Sequence, residues 1–412
     1  MNNSLKKYIL IFLLTLLFGS SWYLIEITLS GKTIFFSSEL ILYFILAYII
    51  LFFRKKIVFP KQLKRVSLVL ILFGAVHIIF SLFFADFGQA LLKFRSLIYF
   101  PIIGILTGST FSKIIRSNYI FKKALYAYFY ILLVWSVLNF IFNIKPIQRF
   151  GLINRFDGIL ISIIFFEFLR YIFIHKKIEF NLYYIFYILV PLILIFFTAS
   201  RGIYISFIVA FLIMMYIYKN RIKSPFLFKI QVISLLFVGF FLLIYSKNYY
   251  RIRIDDHIDD FIEVYHGDFG SYGEKWNTIG GRFFLYKEAF KLGLKSPILG
   301  RGLGYKVGEF YISGPYNIYR KKTAHNYYLT IWYKTGILGI ILFSWFIIHI
   351  LKETKKKNIS VFFFLIICYT YAAFDVMLAA FPPAILSIYF IIGFALSIKY
   401  DQVKKYPFSN IY

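Results

Sequence analysis

Cationic side chains recur at the ends of apolar segments, where a membrane helix would meet water. Arg201 lies in the short turn Thr198–Gly202 between two apolar runs, Arg282 opens a segment with helical periodicity, and His325 precedes another apolar run. Arginine offers planar, permanently charged donors that suit phosphate. Histidine has an unperturbed pKa that suits a general base. Together these residue types could neutralise a diphosphate leaving group and take a proton from an incoming hydroxyl.

Other polar residues lie near the same helix ends and are candidates for binding a substrate. They are Arg149, Arg155, Ser200, Arg320 and Asn326. A positive residue at a helix end also has a simpler explanation, because it often anchors to lipid phosphate. A lone histidine such as His325 is more often structural than catalytic. Arginines on separate loops, taken together with one histidine, favour a diphosphate ligand more strongly than any single residue does.

Some polar residues inside the predicted helices favour structural roles. Asp375 is expected either to tie two helices together or to pair with an arginine. Glu167 and Arg170 have the i, i+3 spacing of a local ion pair. His77 is expected to be a packed polar residue.

Support for a metal or a cofactor is weak. The acidic cluster Asp255–Asp260 contains carboxylates of the kind that bind Ca²⁺ or Mg²⁺, but its spacing matches no EF-hand loop. The single cysteine, Cys368, excludes a disulfide framework and a cysteine zinc site. No strand precedes the glycines of Gly300–Gly304, so they do not form a dinucleotide-binding motif. We therefore expect neither a metal nor a cofactor.

The elements that must position these residues are membrane helices. Of the 412 residues, 60% are hydrophobic and 16% are charged, and the mean hydropathy is +0.75. Soluble domains have about 45–50% apolar and about 25% charged residues, so a water-soluble enzyme, a disordered chain and a fibrous repeat are excluded. Apolar runs long enough to span a bilayer recur along the chain. The predicted helices, about twelve, lie near residues 8–25, 34–53, 66–84, 97–112, 124–143, 158–174, 182–199, 203–218, 230–246, 328–350, 360–380 and 384–398.

The charges between the apolar runs predict the orientation. Lysine and arginine are concentrated in alternate loops, and the positive-inside rule places those loops and both termini in the cytoplasm. The net charge of +29 is therefore mainly a topology signal, and we expect no nucleic-acid partner. We predict an all-α integral membrane protein that forms one membrane domain over residues 1–412. A long external loop, residues 247–325, is inserted between the ninth and tenth helices.

Three sequence blocks in this arrangement resemble a known family. They are Phe197–Gly202, then Gly281–Phe290 followed by Ser296–Gly304, and then Ala324–Leu329 followed by Thr335–Ile340. In their order, and in the helix count and long loop that accompany them, the blocks are similar to the O-antigen ligase and polymerase family of bacterial membrane glycosyltransferases. The family-like core covers residues 185–345.

The resemblance implies a GT-C-like helical fold and an inverting, metal-independent glycosyl transfer. The donor would be a glycan on undecaprenyl diphosphate, at the periplasmic or external face of the cytoplasmic (inner) membrane. Arg201 and Arg282 would hold the diphosphate, and His325 would activate or orient the acceptor hydroxyl. Arg149 and Asn326 would be secondary binding residues. Besides membrane lipids, the implied partner is lipid A–core for a ligase, or a second lipid-linked repeat unit for a polymerase.

Three functions stay open at this point. A transferase of the O-antigen ligase type is the leading interpretation. A repeat-unit polymerase of the same family is the nearest alternative, because the blocks do not separate the two. A lipid-linked oligosaccharide transporter, or flippase, belongs to another class and would also suit twelve helices. Transporters often have two related halves with charges at the bilayer midplane, whereas here the charges gather at one face, which favours chemistry.

Overall fold

The computed structural model describes the chain in a series of segments, most of them helical. The described residues are 3–19, 26–29, 32–84, 87–114, 117–141, 155–174, 182–196, 198, 200–219, 279–305, 310–313, 318–321, 324–375, 378 and 382–398. The helix predicted near 230–246, the acidic cluster Asp255–Asp260 and Arg149 lie outside the described residues.

Helices dominate the described part of the chain. They are α1 Asn3–Gly19, α2 Ser37–Phe53, α3 Lys61–Phe84, α4 Phe87–Phe94, α5 Phe100–Phe111, α6 Ser117–Ile141, α7 Arg155–Ile174, α8 Leu182–Phe196, α9 Arg201–Tyr218, α10 Ile279–Leu294, α11 Tyr327–Lys357, α12 Ile359–Tyr371 and α13 Pro382–Ser397. Apart from the segment near 230–246, each predicted membrane helix has a counterpart among them. The agreement follows from the length of the apolar runs, which is the strongest signal that a membrane helix leaves in a sequence.

The fourth predicted helix, near 97–112, is longer than expected. A π-helical turn, Arg95–Tyr99, joins α4 to α5, so that one apolar helical segment runs over Phe87–Phe111. Arg95 does not end this segment, because its guanidinium donates to the carboxylate of Glu39 in α2, which is itself buried. A charge is tolerated inside a fold when it is paired in this way.

Four described helical segments are long and apolar enough to cross a membrane, judged by length and composition. They are Lys61–Leu82, Phe87–Phe111, Ser117–Leu138 and Tyr327–Lys357. Shorter apolar helices, among them Ile359–Tyr371 and Ala384–Ser397, accompany them. The described helices agree with the predicted all-α integral membrane protein in class, and the count of about twelve membrane helices stays a prediction.

Two antiparallel hairpins add strands that an all-α prediction omits. Strands β1 (Glu26–Leu29) and β2 (Lys32–Phe36) pair between α1 and α2, and β3 (Phe310–Ser313) and β4 (Ile318–Lys321) pair between α10 and α11. The first hairpin has a recognisable signal, because β-branched residues flank a Ser-Gly pair. Apolar periodicity alone assigns such a segment to the end of a membrane helix.

Helices α5 and α13 pack closely along a seam of glycines. A Cβ added at Gly104 would lie 2.9 Å from the Cβ of Tyr389, and one added at Gly108 or Gly393 would overlap the backbone of the opposite helix. The Ser109 hydroxyl donates to the Gly393 carbonyl at 3.0 Å. Small residues of this kind let two membrane helices approach until their backbones touch.

Helix α11 is interrupted at Gly336, whose φ of +65° is a left-handed conformation that favours glycine. The chain that follows α10, residues 295–305, lies against this interruption and is called the docking segment here. Ile337 N donates to Pro297 O at 2.8 Å, and Leu338 N donates to the next carbonyl, that of Ile298, at 3.3 Å.

A buried lysine completes the attachment of the docking segment. The ammonium of Lys334, in α11, donates to the carbonyl oxygens of Leu303 and Tyr305, both at 2.8 Å. In the opposite direction, Gly302 N donates to the Lys334 carbonyl at 2.9 Å. The docking segment therefore fixes the end of α10 to the middle of α11.

Candidate functional site

The turn Ala372–Asp375, which ends α12, is the point on which several helix ends converge. Its own backbone bonds continue from the helix, with Ala372 N donating to Cys368 O at 3.0 Å and Asp375 N to Tyr371 O at 3.1 Å. The last carbonyls of a helix have no partner within it. In this turn, called the α12 turn, those carbonyls accept bonds from other elements.

Arg155, at the start of α7, is held by the end of α12. Its Nη1 donates to Asp375 Oδ2 at 2.7 Å and to the Tyr371 hydroxyl at 3.3 Å, and that hydroxyl donates to the same carboxylate oxygen at 2.8 Å. The side chains of Arg155 and Asp375 are 32% and 19% exposed. Both alternatives foreseen for Asp375 thus apply, because it pairs with an arginine and thereby ties α12 to α7.

The start of α9 lies against the same turn. A Cβ added at Gly202 would be 3.0 Å from the Cβ of Phe374 and 3.0 Å from Cε2 of Tyr371. Ser200 is the N-cap residue of α9 and is buried, and its hydroxyl does not cap the helix. Arg201 stands between these two residues, so its backbone is adjacent to the α12 turn.

The start of α11 is bonded to the α12 turn through backbone and side chain. Tyr327 N donates to Ala372 O at 2.8 Å, and Asn326 Nδ2 donates to Ala373 O at 2.8 Å. Asn326 Oδ1 accepts from Leu329 N at 3.0 Å, which makes Asn326 the N-cap of α11. Asn326 was a candidate for substrate binding, but in the structure its amide oxygen caps α11 and its amide nitrogen bonds the α12 turn.

His325, the residue before this cap, has an unusual backbone. Its φ is +48°, in the left-handed region that non-glycine residues seldom adopt. Such a conformation costs about 1–3 kcal/mol and persists only where the surroundings impose it. The side chain is half-buried. The bonds that follow it, from Asn326 and Tyr327, hold the backbone of His325 beside the α12 turn.

Helix α10 also lies close to the α12 turn, at Tyr286. The Tyr286 hydroxyl lies 3.4 Å from the Ala373 carbonyl and 3.5 Å from the His325 carbonyl, so it can donate weakly to either. Arg282 is one helical turn before Tyr286 and therefore lies on the same face of α10. Leu285 and Ala289 pack on α11, which holds the helix in this place.

The structure therefore places the backbone of Arg155, Arg201 and His325 beside one turn, and Arg282 lies one helical turn before Tyr286, whose hydroxyl approaches the same turn. Arg320 lies in β4 opposite Tyr311, and the bonds described for the α12 turn do not include it. Tyr286 and Tyr371 were not predicted. Helical spacing could have indicated both residues, because Tyr286 lies four residues from Arg282 and Tyr371 lies four residues from Asp375.

Polar residues away from the turn have structural partners. Glu167 and Arg170 form the expected ion pair, with Oε1 and Nη2 3.0 Å apart, and Lys122 lies 3.7 Å from the same oxygen. Within the described residues His77 is buried with neither ring nitrogen hydrogen-bonded, and its ring packs edge-on against Phe73. The same part of the chain contains no cluster of three metal-ligating side chains.

A comparison of the sequence with protein families decides the relationship. The family described as O-antigen ligase matches residues 186–344. This segment is similar to the O-antigen ligase family. The predicted core, residues 185–345, agrees with it closely, and the predicted resemblance is confirmed. No curated protein shows significant similarity to the chain.

The O-antigen ligase segment contains only part of the site. It includes α8, α9, α10 and the first half of α11, and so it carries Ser200, Arg201, Arg282, His325 and Asn326. Arg155 and the whole α12 turn lie outside it. The family match indicates a membrane glycosyltransferase of the O-antigen ligase and polymerase type that acts on lipid-linked glycans.

Proposed function

We propose that the protein is a transferase of the O-antigen ligase type. It moves an oligosaccharide or polysaccharide from undecaprenyl diphosphate to a sugar hydroxyl of an acceptor such as lipid A–core. The observation that supports this proposal is the arrangement at the α12 turn, where the starts of α9 and α11 and Tyr286 of α10, all in the family segment, lie beside the turn that holds Arg155 from outside that segment.

The electrostatics of the turn support a diphosphate as the leaving group. Helices α7, α9 and α11 all begin beside the α12 turn, and the partial positive charge of a helix N-terminus favours an anion. Asp375 pairs with Arg155, and the O-antigen ligase segment supplies Arg201 and Arg282. In this proposal those two guanidinium groups bind the diphosphate, and their permanent charge makes a metal ion unnecessary.

The proposed reaction is a single displacement. The acceptor oxygen forms a bond to the anomeric carbon while the bond from that carbon to the diphosphate breaks, which inverts the anomeric centre. The acceptor proton passes to the imidazole of His325, acting as general base. The backbone bonds around His325 and Asn326 serve to hold the imidazole in one position, and such fixed placement is a large part of catalysis.

The direction of the helices supports the proposed topology. Helix α11 starts at the α12 turn and ends at Lys355–Lys357, and α9 starts at Arg201 and is followed by Lys219. The basic residues thus lie at the ends away from the site. With the positive-inside rule, this supports a site at the periplasmic or external face of the cytoplasmic membrane. The proposed topology has twelve membrane helices and cytoplasmic termini. Residues 1–412 would be one domain, with 247–325 as its external loop.

The experiment is glycan transfer by the purified protein in detergent. The donor is an undecaprenyl-diphosphate-linked glycan and the acceptor is lipid A–core, and the product is measured by mass spectrometry. Transfer that is lost in the His325→Ala variant supports the proposal. Transfer that persists in this variant contradicts the role of His325. A transporter would give no product, because detergent provides no second compartment.

A deletion strain separates the two family activities. If the protein is a ligase, long polymer accumulates on the lipid carrier and is absent from the acceptor. If the strain carries single repeat units on the acceptor without long chains, the protein is a polymerase and the ligase assignment is wrong.

A further inference from the structure

Helix α10 has one buried face and one exposed apolar face. Leu285 and Ala289 are buried against α11, while Phe290 and Leu294 are 51% and 55% exposed. The turn that follows continues this surface, with Ile298 62% exposed. A soluble loop rarely exposes a continuous apolar strip, and such strips mark contact with lipid or with another protein.

The exposed strip is continuous with the lipid-facing side of a membrane helix. The Phe290 ring stacks on Trp332 of α11, with ring centroids 6.0 Å apart, and the Trp332 indole donates to the Phe290 carbonyl at 3.2 Å. Further along α11, the exposed apolar residues are Ile337, Leu338, Ile341, Trp345 and Ile348. The strip of α10 and the outward face of α11 form one surface.

The length of α11 indicates how deep this surface reaches. Helix α11 consists of two helical stretches that meet at Gly336, and the stretch over residues 337–357 is about 32 Å long, close to the thickness of about 30 Å of a bilayer's hydrocarbon core. The turns before Gly336, beside Phe290, therefore lie towards the headgroup level. Ile298 lies beside Leu338, at the start of the second stretch. The tip of the docking segment thus reaches the edge of the hydrocarbon.

Several backbone polar groups of the docking segment are hydrogen-bonded within the protein, as a segment inside a bilayer requires. Non-helical backbone is stable at that depth only if its polar groups are paired within the protein. The carbonyls of Pro297 and Ile298 accept from Ile337 N and Leu338 N, and Arg301 N donates to Tyr333 O at 3.0 Å. The Lys334 ammonium, described above, serves two further carbonyls.

The charges beside the strip fit a lipid surface. Lys287, Lys291 and Lys295 are exposed and recur every four residues along α10, next to Phe290 and Leu294. A helix that combines an apolar strip with a row of lysines lies at the boundary between acyl chains and anionic headgroups. The long lysine side chains can reach the phosphates while their stems stay in the apolar region.

We propose that α10 and the docking segment form a re-entrant element that dips into the bilayer leaflet on the side of the α12 turn. Phe290, Leu294 and Ile298 contact acyl chains, and the lysines contact anionic headgroups. The sequence predicts that this element is part of the external loop, residues 247–325, outside the membrane. If the proposed function is correct, the same insertion sets Arg282 at the level where the diphosphate of a lipid-linked donor lies.

The depth of single labels in full-length protein tests this inference. The only cysteine, Cys368, is fully buried, so a cysteine placed at an exposed position can be labelled selectively with bimane. The variants are Ile298→Cys at the tip, Ile341→Cys as the lipid-facing control and Lys287→Cys as the headgroup control. Each is reconstituted into vesicles of phosphatidylethanolamine and phosphatidylglycerol.

The expected result is that the label at 298 behaves like the label at 341. Lipids brominated in the acyl chain quench its fluorescence, and iodide in the water does not. Quenching by iodide alone would overturn the inference, because the tip would then lie in water. Quenching by neither agent would also overturn it, because another protein surface would then cover the strip. The measurement needs no activity, so it stands apart from the test of the proposed function.

Discussion

The α5–α13 seam and the α12 turn hold helices together by different means. At the seam, glycines such as Gly108 and Gly393 bring two backbones into contact among fully buried apolar side chains. At the turn, contacts are polar and partly exposed, through the Ala373 carbonyl and the Asp375 carboxylate. The seam depends on the absence of side chains, whereas the turn depends on the presence of particular ones.

This difference predicts how each region responds to change. Close packing tolerates little added volume, so a substitution in the seam should affect the fold as a whole. The turn has solvent access and several independent bonds, so the loss of one side chain should leave the fold intact and affect the reaction. Variants in the two regions therefore separate stability from activity.

The largest effect is expected in the seam. In Gly108→Leu, the new side chain overlaps the backbone of Phe390, and the variant should fail to accumulate as folded protein. Size-exclusion chromatography of the detergent-solubilised protein measures this loss. Gly19→Ala is the control, because its Cβ would meet Tyr128 at an ordinary 3.4 Å. A folded, monodisperse Gly108→Leu protein would contradict the seam as described.

The next effect concerns the proposed diphosphate ligands. Arg282→Ala should lower the transfer rate about 100-fold or more, since removing one donor to a developing negative charge costs that much. The variant should elute and melt like the wild type. Lys356→Ala, at the opposite helix ends and paired with Glu353 at 3.0 Å, should transfer at the normal rate. Equal losses in both variants would show that transfer responds only to the total charge of the protein.

A smaller loss is expected when Arg155 is freed. Asp375→Asn removes the ion pair but keeps the shape, and we expect about a 10- to 100-fold loss of transfer because the guanidinium is no longer fixed. Stability should fall by about 1 kcal/mol, the usual range for a pair with solvent access. Both are measured on purified protein, by initial rates and by thermal unfolding.

A matched carboxylate in another ion pair provides the control for Asp375→Asn. Glu167→Gln removes the pair with Arg170 in α7, near the opposite end of the helix that starts at Arg155. It should lower stability without lowering transfer by folded protein. If both variants lose the same fraction of activity, the Asp375 effect is structural only.

The smallest effect is expected at Tyr286. Its hydroxyl makes only long contacts, at 3.4 and 3.5 Å, and a hydrogen bond contributes about 0.5–1.5 kcal/mol. Tyr286→Phe should therefore reduce transfer about two- to tenfold, with no change in folding. A loss as large as that of Arg282→Ala would mean that the hydroxyl contacts the substrate directly.

Part of this arrangement could be predicted from the sequence. Long apolar runs predicted the described membrane helices, and the motif blocks predicted the family segment within one residue at each end, 185–345 against 186–344. Glu167 and Arg170 could be paired because helical spacing brings them together. These are local signals, carried by neighbouring residues.

The convergence on the α12 turn could not be predicted in the same way. Arg155 and Asp375 are far apart in sequence, and the bonds to Ala372 and Ala373 use carbonyls, which every residue type has. The proposed re-entry of the docking segment could not be predicted either, because it rests on hydrogen bonds from the backbone of Ile337 and Leu338, next to Gly336. Backbone acceptors leave no mark in the residue types, so only a structure reveals which loop they bind.

The central claim is that the helix ends around the α12 turn bind the lipid-linked donor. Photo-crosslinking tests it most directly, with an undecaprenyl diphosphate analogue that carries a diazirine next to the diphosphate, followed by mass spectrometry of the labelled peptides. We expect labels in the starts of α7, α9 and α10 and in the α12 turn, and we expect excess unlabelled donor to reduce them. Labels concentrated at the opposite helix ends, around Lys355–Lys357, would contradict it.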